Sequence, residues 1–136
     1  MEHSFIQFDG KKIHYQDEGR EFDNVIVLLH GFLNSLDIWA SYVYTYMRAS
    51  RVIAIDLPGH GLSDTYGEVH SMEFLARCVA DAMSALGIER YSVVGHSMGG
   101  YVALAMCEAY GDRLDSITLL SSTTIPDSEE KCDRRR

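Results

Sequence analysis

The stretch Tyr91-Ser-Val-Val-Gly95-His96-Ser97-Met98-Gly99-Gly100, followed by Tyr101-Val-Ala-Leu-Ala-Met106, leaves the backbone few paths. A β-branched run that meets a serine between two glycines and passes at once into helix-forming residues reads as a strand, a very tight turn and a buried helix. At the apex the serine is strained, and the residues two before and two after it come so close that they must be small. Gly95 and Gly99 meet that need. Such a turn is a nucleophile elbow. It lifts the Ser97 hydroxyl clear of the sheet and aims the first N–H groups of the helix at the same point, where a negative oxygen is stabilised. The bare Gly-x-Ser-x-Gly pattern arises by chance in roughly one chain in twenty of this length. The weight therefore rests on the flanking strand and helix and on two upstream motifs.

Residues 4–8 and 11–16 alternate apolar with polar around Asp9-Gly10, a hairpin signal. After a polar connection, Val25-Ile-Val-Leu-Leu29 is a continuous apolar run, as a strand covered on both faces requires, and it ends at His30-Gly31-Phe32. Asn34 or Ser35 can cap a helix in which Ile38, Trp39, Tyr42, Val43 and Tyr46 recur at three and four spacing, ending near Ser50. The spacing makes Trp39 and the tyrosines at 42, 44 and 46 core and partly exposed helix face rather than a ligand platform. Val52-Ile-Ala-Ile55 is the next buried strand, and Asp56-Leu-Pro58-Gly59-His60-Gly61-Leu-Ser-Asp64 is the loop leaving it. A helix over residues 71–86 carries Phe74, Leu75, Val79, Met83 and Leu86 on one face and stops at Gly87. The elbow strand follows, then its helix to about Tyr110 and a last strand over 114–120 with Ile117, Leu119 and Leu120. A hairpin followed by alternating strands and helices predicts an α/β fold: a mostly parallel sheet with an N-terminal antiparallel hairpin and helices on both faces. Sites in such sheets lie at the carboxyl ends of the strands, and the loops at 30–32, 56–64 and 95–100 all leave those ends.

At 136 residues the chain is one domain by length and can bury a core. A formal net charge of −8 argues against nucleic acid or an anionic membrane as partner, and Arg134-Arg135-Arg136 is its sole basic cluster. Cys78, Cys107 and Cys132 are an odd number without metal-ligand spacing. The first two lie in apolar helical patterns, which predicts buried thiols in a reducing compartment. The N-terminus lacks a basic region followed by an apolar one, and no apolar run reaches membrane-spanning length, so the expectation is a cytoplasmic protein.

The elbow lacks the Lys and following Ser or Thr of a P-loop, and Gly59-His-Gly61 lacks the third glycine of a dinucleotide fingerprint; no cofactor and no metal is implied. A serine at a strand-to-helix turn suggests acyl transfer, with the oxyanion held by the N–H of Met98 and the N–H of Phe32. His96 neighbours Ser97, but adjacent side chains at such a turn point apart, so it reads as a packed or loop-bonded residue. His60 is the loop histidine best placed to approach the mouth. His30 supports the oxyanion loop, while His3, His14 and His70 read as surface or hairpin residues. Asp56 reads as a loop anchor and Asp127 as solvated.

His30-Gly31-Phe32, Asp56-Leu-Pro-Gly-His-Gly-Leu-Ser63 and Gly95-His-Ser-Met-Gly-Gly100, in that order and at those separations, resemble the α/β-hydrolase superfamily, specifically its cofactor-free esterase-like members. The resemblance implies Ser97 as nucleophile, Phe32 and Met98 as oxyanion donors, and His30, Gly31, Gly95, Gly99 and His96 as parts of the supporting loops. A small-molecule acyl compound is the implied substrate, and serine at the elbow speaks against the haloalkane dehalogenase and epoxide hydrolase branches. In this superfamily the acid and the histidine follow on later strands. The resemblance makes residues 1–125 the N-terminal part of the core and 126–136 the start of a lid or a disordered tail, with the acid and base expected in sequence absent from this chain. A missing C-terminal half or a homo-oligomer partner is then expected to cover strand 114–120, otherwise an apolar sheet edge. Two alternatives stand beside serine ester hydrolysis: a non-catalytic fragment or binding module of the same fold, and a carbon-carbon hydrolase or lyase on the same scaffold.

Overall fold

In the computed structural model, which describes residues 3–67 and 70–120, β1 (Ser4–Phe8) and β2 (Lys11–Glu18) form the expected hairpin. Its two turn residues both take positive φ, Asp9 at 49° and Gly10 at 82°, as a two-residue turn matched to the sheet's twist requires. β2 runs two residues further than its alternation predicts, because residues up to Glu18 pair with the next strand but one, β4 (Arg51–Ile55). With β3 (Val25–Leu29), β5 (Tyr91–His96) and β6 (Leu114–Leu120), the sheet order is β1-β2-β4-β3-β5-β6. The pairs β3 with β4, β3 with β5, and β5 with β6 are parallel; the hairpin and its junction with β4 are antiparallel.

Successive residues of a strand face opposite sides, and the two faces carry separate cores. Leu28, Val52 and Ala54 pack with Leu36, Trp39 and Val43, which lie on a 3-10 turn (Leu36–Trp39) and the short helix α1 (Ala40–Tyr46). Val27, Leu29, Ile53, Ile55 and Val93 face the other way, onto α2 (Met72–Ala85) and α3 (Met98–Tyr110). Ser71 caps α2 by accepting the Phe74 N–H at 3.0 Å, and Gly87 ends it with φ 76°.

Three expectations need correction. The single helix from 34 or 35 to 50 is a 3-10 turn capped by Ser35, a short helix ending at Tyr46, and turns to Ser50. Its buried apolar residues are Leu36, Trp39 and Val43, while Ile38, Tyr42, Tyr44 and Tyr46 are exposed. Cys78 is buried, which pushes its thiol up to about 12, but Cys107 is exposed, because α3 turns Ala103 and Met106 inward and leaves the next position outward. His14 is buried at 2 % exposure, since β2 is an interior strand between β1 and β4. The 126–136 segment, Asp127 and Cys132 lie outside the described residues.

β6 occupies one edge of the described sheet, and its Leu114, Ile117, Leu119 and Leu120 are half-buried. Among the described residues, no helix is long and apolar enough to cross a membrane.

Candidate active site

Ser97 joins β5 to α3 with φ 55° and ψ −115°, a conformation that costs a non-glycine residue on the order of 1–3 kcal/mol. The surroundings hold it there. Its N–H donates to the Leu120 carbonyl at 3.2 Å, and its own carbonyl accepts the Gly100 N–H at 2.9 Å. A Cβ at Gly95 would collide with the Gly99 carbonyl and come within 2.6 Å of the Gly100 nitrogen. One at Gly99 would collide with the Leu29 carbonyl and lie 2.7 Å from that of His30. Gly95 is needed because the first turn of α3 folds back onto it, and Gly99 because α3 begins against the end of β3. Met98 heads α3, where first-turn N–H groups have no acceptor within the helix.

The loop after β3 lies against this turn. A Cβ on Gly31 would stand 3.2 Å from Ser97 Cβ and 3.1 Å from His96 Nδ1, so only a residue without a side chain fits without displacement. The Gly31 carbonyl accepts the Asn34 N–H at 3.1 Å and lies 2.8 Å from His30 Nδ1. His30 Nε2 accepts the Leu57 N–H at 2.9 Å, which assigns the ring proton to Nδ1 and makes it the donor to Gly31. Because a trans peptide is planar, holding the Gly31 carbonyl also fixes the direction of the Phe32 N–H. Desolvation lowers His30 to about 4, so the ring stays neutral and keeps both bonds.

The loop after β4 is tied to the same place. Asp56 is 1 % exposed, and its carboxylate accepts the N–H groups of Leu36 at 2.7 Å and Leu62 at 2.9 Å. Gly61, at φ 54°, passes so close that a Cβ would overlap that carboxylate. His60 is half-buried. Its ring lies 4.9 Å from His30 and edge-on to Phe32 at 6.1 Å, and its Nδ1 is 3.1 Å from the Pro58 carbonyl. His96 Nδ1 is buried without a hydrogen-bond partner, so it is packed rather than loop-bonded. His70 is half-buried and accepts the Tyr66 N–H at Nε2, 3.1 Å away.

The structure therefore brings Ser97, Gly31, Phe32, Met98, His30 and His60 to one end of the sheet, while His14 and His70 meet the loop after β4 from behind, His14 at Asp56 and His70 beside Gly59. The residue that sequence reasoning missed is His14, whose Nδ1 lies 2.6 Å from Asp56 Oδ2. A buried aspartate at a strand end, needing donors, is the signal that could have found it. At the opposite end of β5, a cleft of about 540 Å³ includes Arg90 and Arg113. Arg90 is already engaged with Asp115 and the Asp112 carbonyl, so the cleft is of mixed charge rather than an anion site. No cluster of three or more metal-ligating side chains occurs among the described residues.

The sheet order, the helices on both faces and the strained serine define an α/β-hydrolase, and a family model described as the alpha/beta hydrolase fold matches residues 24–135. The chain belongs to that family. It is 35% identical over 126 residues to the dihydrolipoyllysine-residue acetyltransferase component of the acetoin cleaving system of Cupriavidus necator, covering 93% of this chain and 33% of that protein. It is 36% identical over 118 residues to a 2-hydroxy-6-oxononadienedioate/2-hydroxy-6-oxononatrienedioate hydrolase of Paraburkholderia phymatum, covering 83% and 41%. Among solved structures, a thermophilic esterase from Thermogutta terrifontis, bound to malate, superposes with a TM-score of 0.89 at 31% identity, over 100% of this chain and 51% of the esterase. The chain thus spans between a third and about half of the length of these proteins.

Proposed function

We propose that this chain carries the nucleophile part of a serine hydrolase acting on carboxylic esters or related acyl compounds. Ser97 Oγ adds to the acyl carbon as its proton passes to a base. The oxyanion is held by the N–H groups of Phe32 and Met98, and collapse expels the alcohol, which takes up the proton. Water then resolves the acyl-enzyme by the same route in reverse. The observation that carries this reading is the strained backbone of Ser97, with Gly31 packed so closely against it that an added Cβ would stand 3.2 Å from Ser97 Cβ. The base and its acid belong to sequence beyond these 136 residues. His14 and His30 already have both ring nitrogens engaged, so neither is available to serve as that base. That further sequence, or a second copy, covers β6, and the protein works in the cytoplasm without a cofactor.

Intact mass measured before and after a fluorophosphonate probe tests the reading. One adduct, abolished by Ser97→Ala, is expected when the base is present. No adduct on folded protein containing that further sequence would overturn it in favour of a non-catalytic binding module. A second reading, carbon-carbon hydrolysis or lyase chemistry on the same scaffold, draws support from the Paraburkholderia relative, named as a hydrolase of 2-hydroxy-6-oxononadienedioate and 2-hydroxy-6-oxononatrienedioate, which contain no ester. Product analysis separates the two.

A further inference from the structure

The Asp56 carboxylate has three donors around it. Two are backbone N–H groups of the loops that wall the site: Leu36, where the loop after β3 enters the 3-10 turn, and Leu62, in the loop after β4. The third is His14 Nδ1, 2.6 Å from Oδ2, and an ionised carboxylate can only accept. His14 is the one donor of the three that stands on a strand, and that strand is paired on both sides. Its backbone is bound to the same junction. The His14 carbonyl accepts the Asp56 N–H at 2.9 Å, and the His14 N–H donates to Ser63 Oγ at 2.8 Å. That hydroxyl in turn donates to the Asp56 carbonyl at 2.5 Å. The His14 ring is buried between Asp56 and His3, whose Nδ1 lies 2.9 Å from His14 Nε2, with the Phe5 ring alongside at 5.2 Å.

β4 fixes the Asp56 backbone, but two side-chain torsions still set the direction of its carboxylate. The amides of Leu36 and Leu62 reach it from two separate loops, whereas His14 reaches it from a strand paired on both sides. We propose that His14 is a positioning residue for the Ser97 site: its Nδ1–H fixes the plane of the Asp56 carboxylate and, through it, the spacing of the loops at 30–36 and 57–64. The importance of that spacing rests on the proposed oxyanion role of the Phe32 N–H, whereas the coupling itself does not. A pair serving the sheet alone would loosen the sheet when broken, Val27 of β3 and Val93 of β5 with it, and leave no selective mark on the loops.

Amide hydrogen exchange read by NMR on this chain tests the coupling. His14→Gln withdraws the donor from the Nδ1 position, while His14→Asn offers an amide N–H there. Exchange at Leu36 and Leu62 is expected to quicken about tenfold in H14Q, with the core amides of Val27 and Val93 unchanged. H14N is expected to return both loop amides to within about threefold of the wild-type chain. Equal loss in H14N and H14Q, no loss in either, loss shared by Val27 and Val93, an unfolded H14Q, or wild-type Leu36 and Leu62 amides without protection each overturn the proposal. Exchange reports loop spacing whether or not Ser97 reacts with a fluorophosphonate, so this proposal and the hydrolase reading fail separately.

Discussion

His30 Nε2 accepts the Leu57 N–H at 2.9 Å, and that bond ties the loop after β3 to the loop after β4 through one buried, neutral ring. A second proton on the ring would put two donors face to face while Nδ1 still donates to Gly31. The ring thus couples proton uptake to the geometry beside Ser97.

Stability should fall in mild acid. Burial lowers His30 from an ordinary value near 6.5 to about 4, so between those values the unfolded chain binds the proton more readily. The stability drawn from neutral His30 is complete above about pH 6.5 and declines as pH falls toward 4, by about 2 kcal/mol from pH 7 to pH 5. Urea unfolding of the wild type and His30→Asn at both pH values measures it. An equal pH slope in the two proteins would show that His30 is not the group.

Gly99→Ala should destabilise by more than about 3 kcal/mol, because its Cβ meets backbone carbonyls of Leu29 and His30 that cannot turn aside. Gly111→Ala is the matched control. Its φ is −56° and nothing lies within 4 Å of the added carbon, so a gain of about 0.5 kcal/mol is expected from the stiffer unfolded chain. Chemical denaturation of both variants tests the contrast.

Ser97→Gly should raise stability by about 1 kcal/mol while removing the hydroxyl, since glycine adopts φ 55°, ψ −115° without a Cβ penalty. Thermal unfolding of Ser97→Gly against Ser97→Ala isolates the backbone term. Equal midpoints would mean that the apex stores no strain.

Asp17 is almost fully buried on β2 and accepts two bonds from Arg51, at 2.9 Å from Nε and 2.7 Å from Nη2. Arg51→Leu should cost about 3 kcal/mol by leaving that carboxylate without its main partner, and Asp17→Asn in the same background should recover part of the loss. A double-mutant cycle in urea measures the coupling.

The readable features were those set by short-range sterics. Asp9-Gly10 fixes a hairpin register, and Gly95 and Gly99 fix the turn around Ser97, so each could be read from a few neighbouring residues. His14 could not. Its place in an alternating hairpin looks solvated until β2 is known to pair with β4, which lies about forty residues away in the chain. Cys107 failed for a related reason. α3 is apolar on most sides, so its composition does not say which side meets the sheet. In α1 the apolar spacing was right, but a short helix on a small core needs only Val43 from it and Leu36 and Trp39 from its preceding turn.

The pairing of β3 with β5 sets residues 26–29 beside residues 92–95, and it has a consequence for how the protein folds. β1 and β2 can close through two residues, whereas the connection between β3 and β5 contains β4 and α2 and crosses the sheet. Contacts so distant along the chain are the slow ones to form. Ser97 and Gly31 sit at the end of that pair, so their juxtaposition rests on contacts of high sequence separation, unlike the local hairpin of β1 and β2.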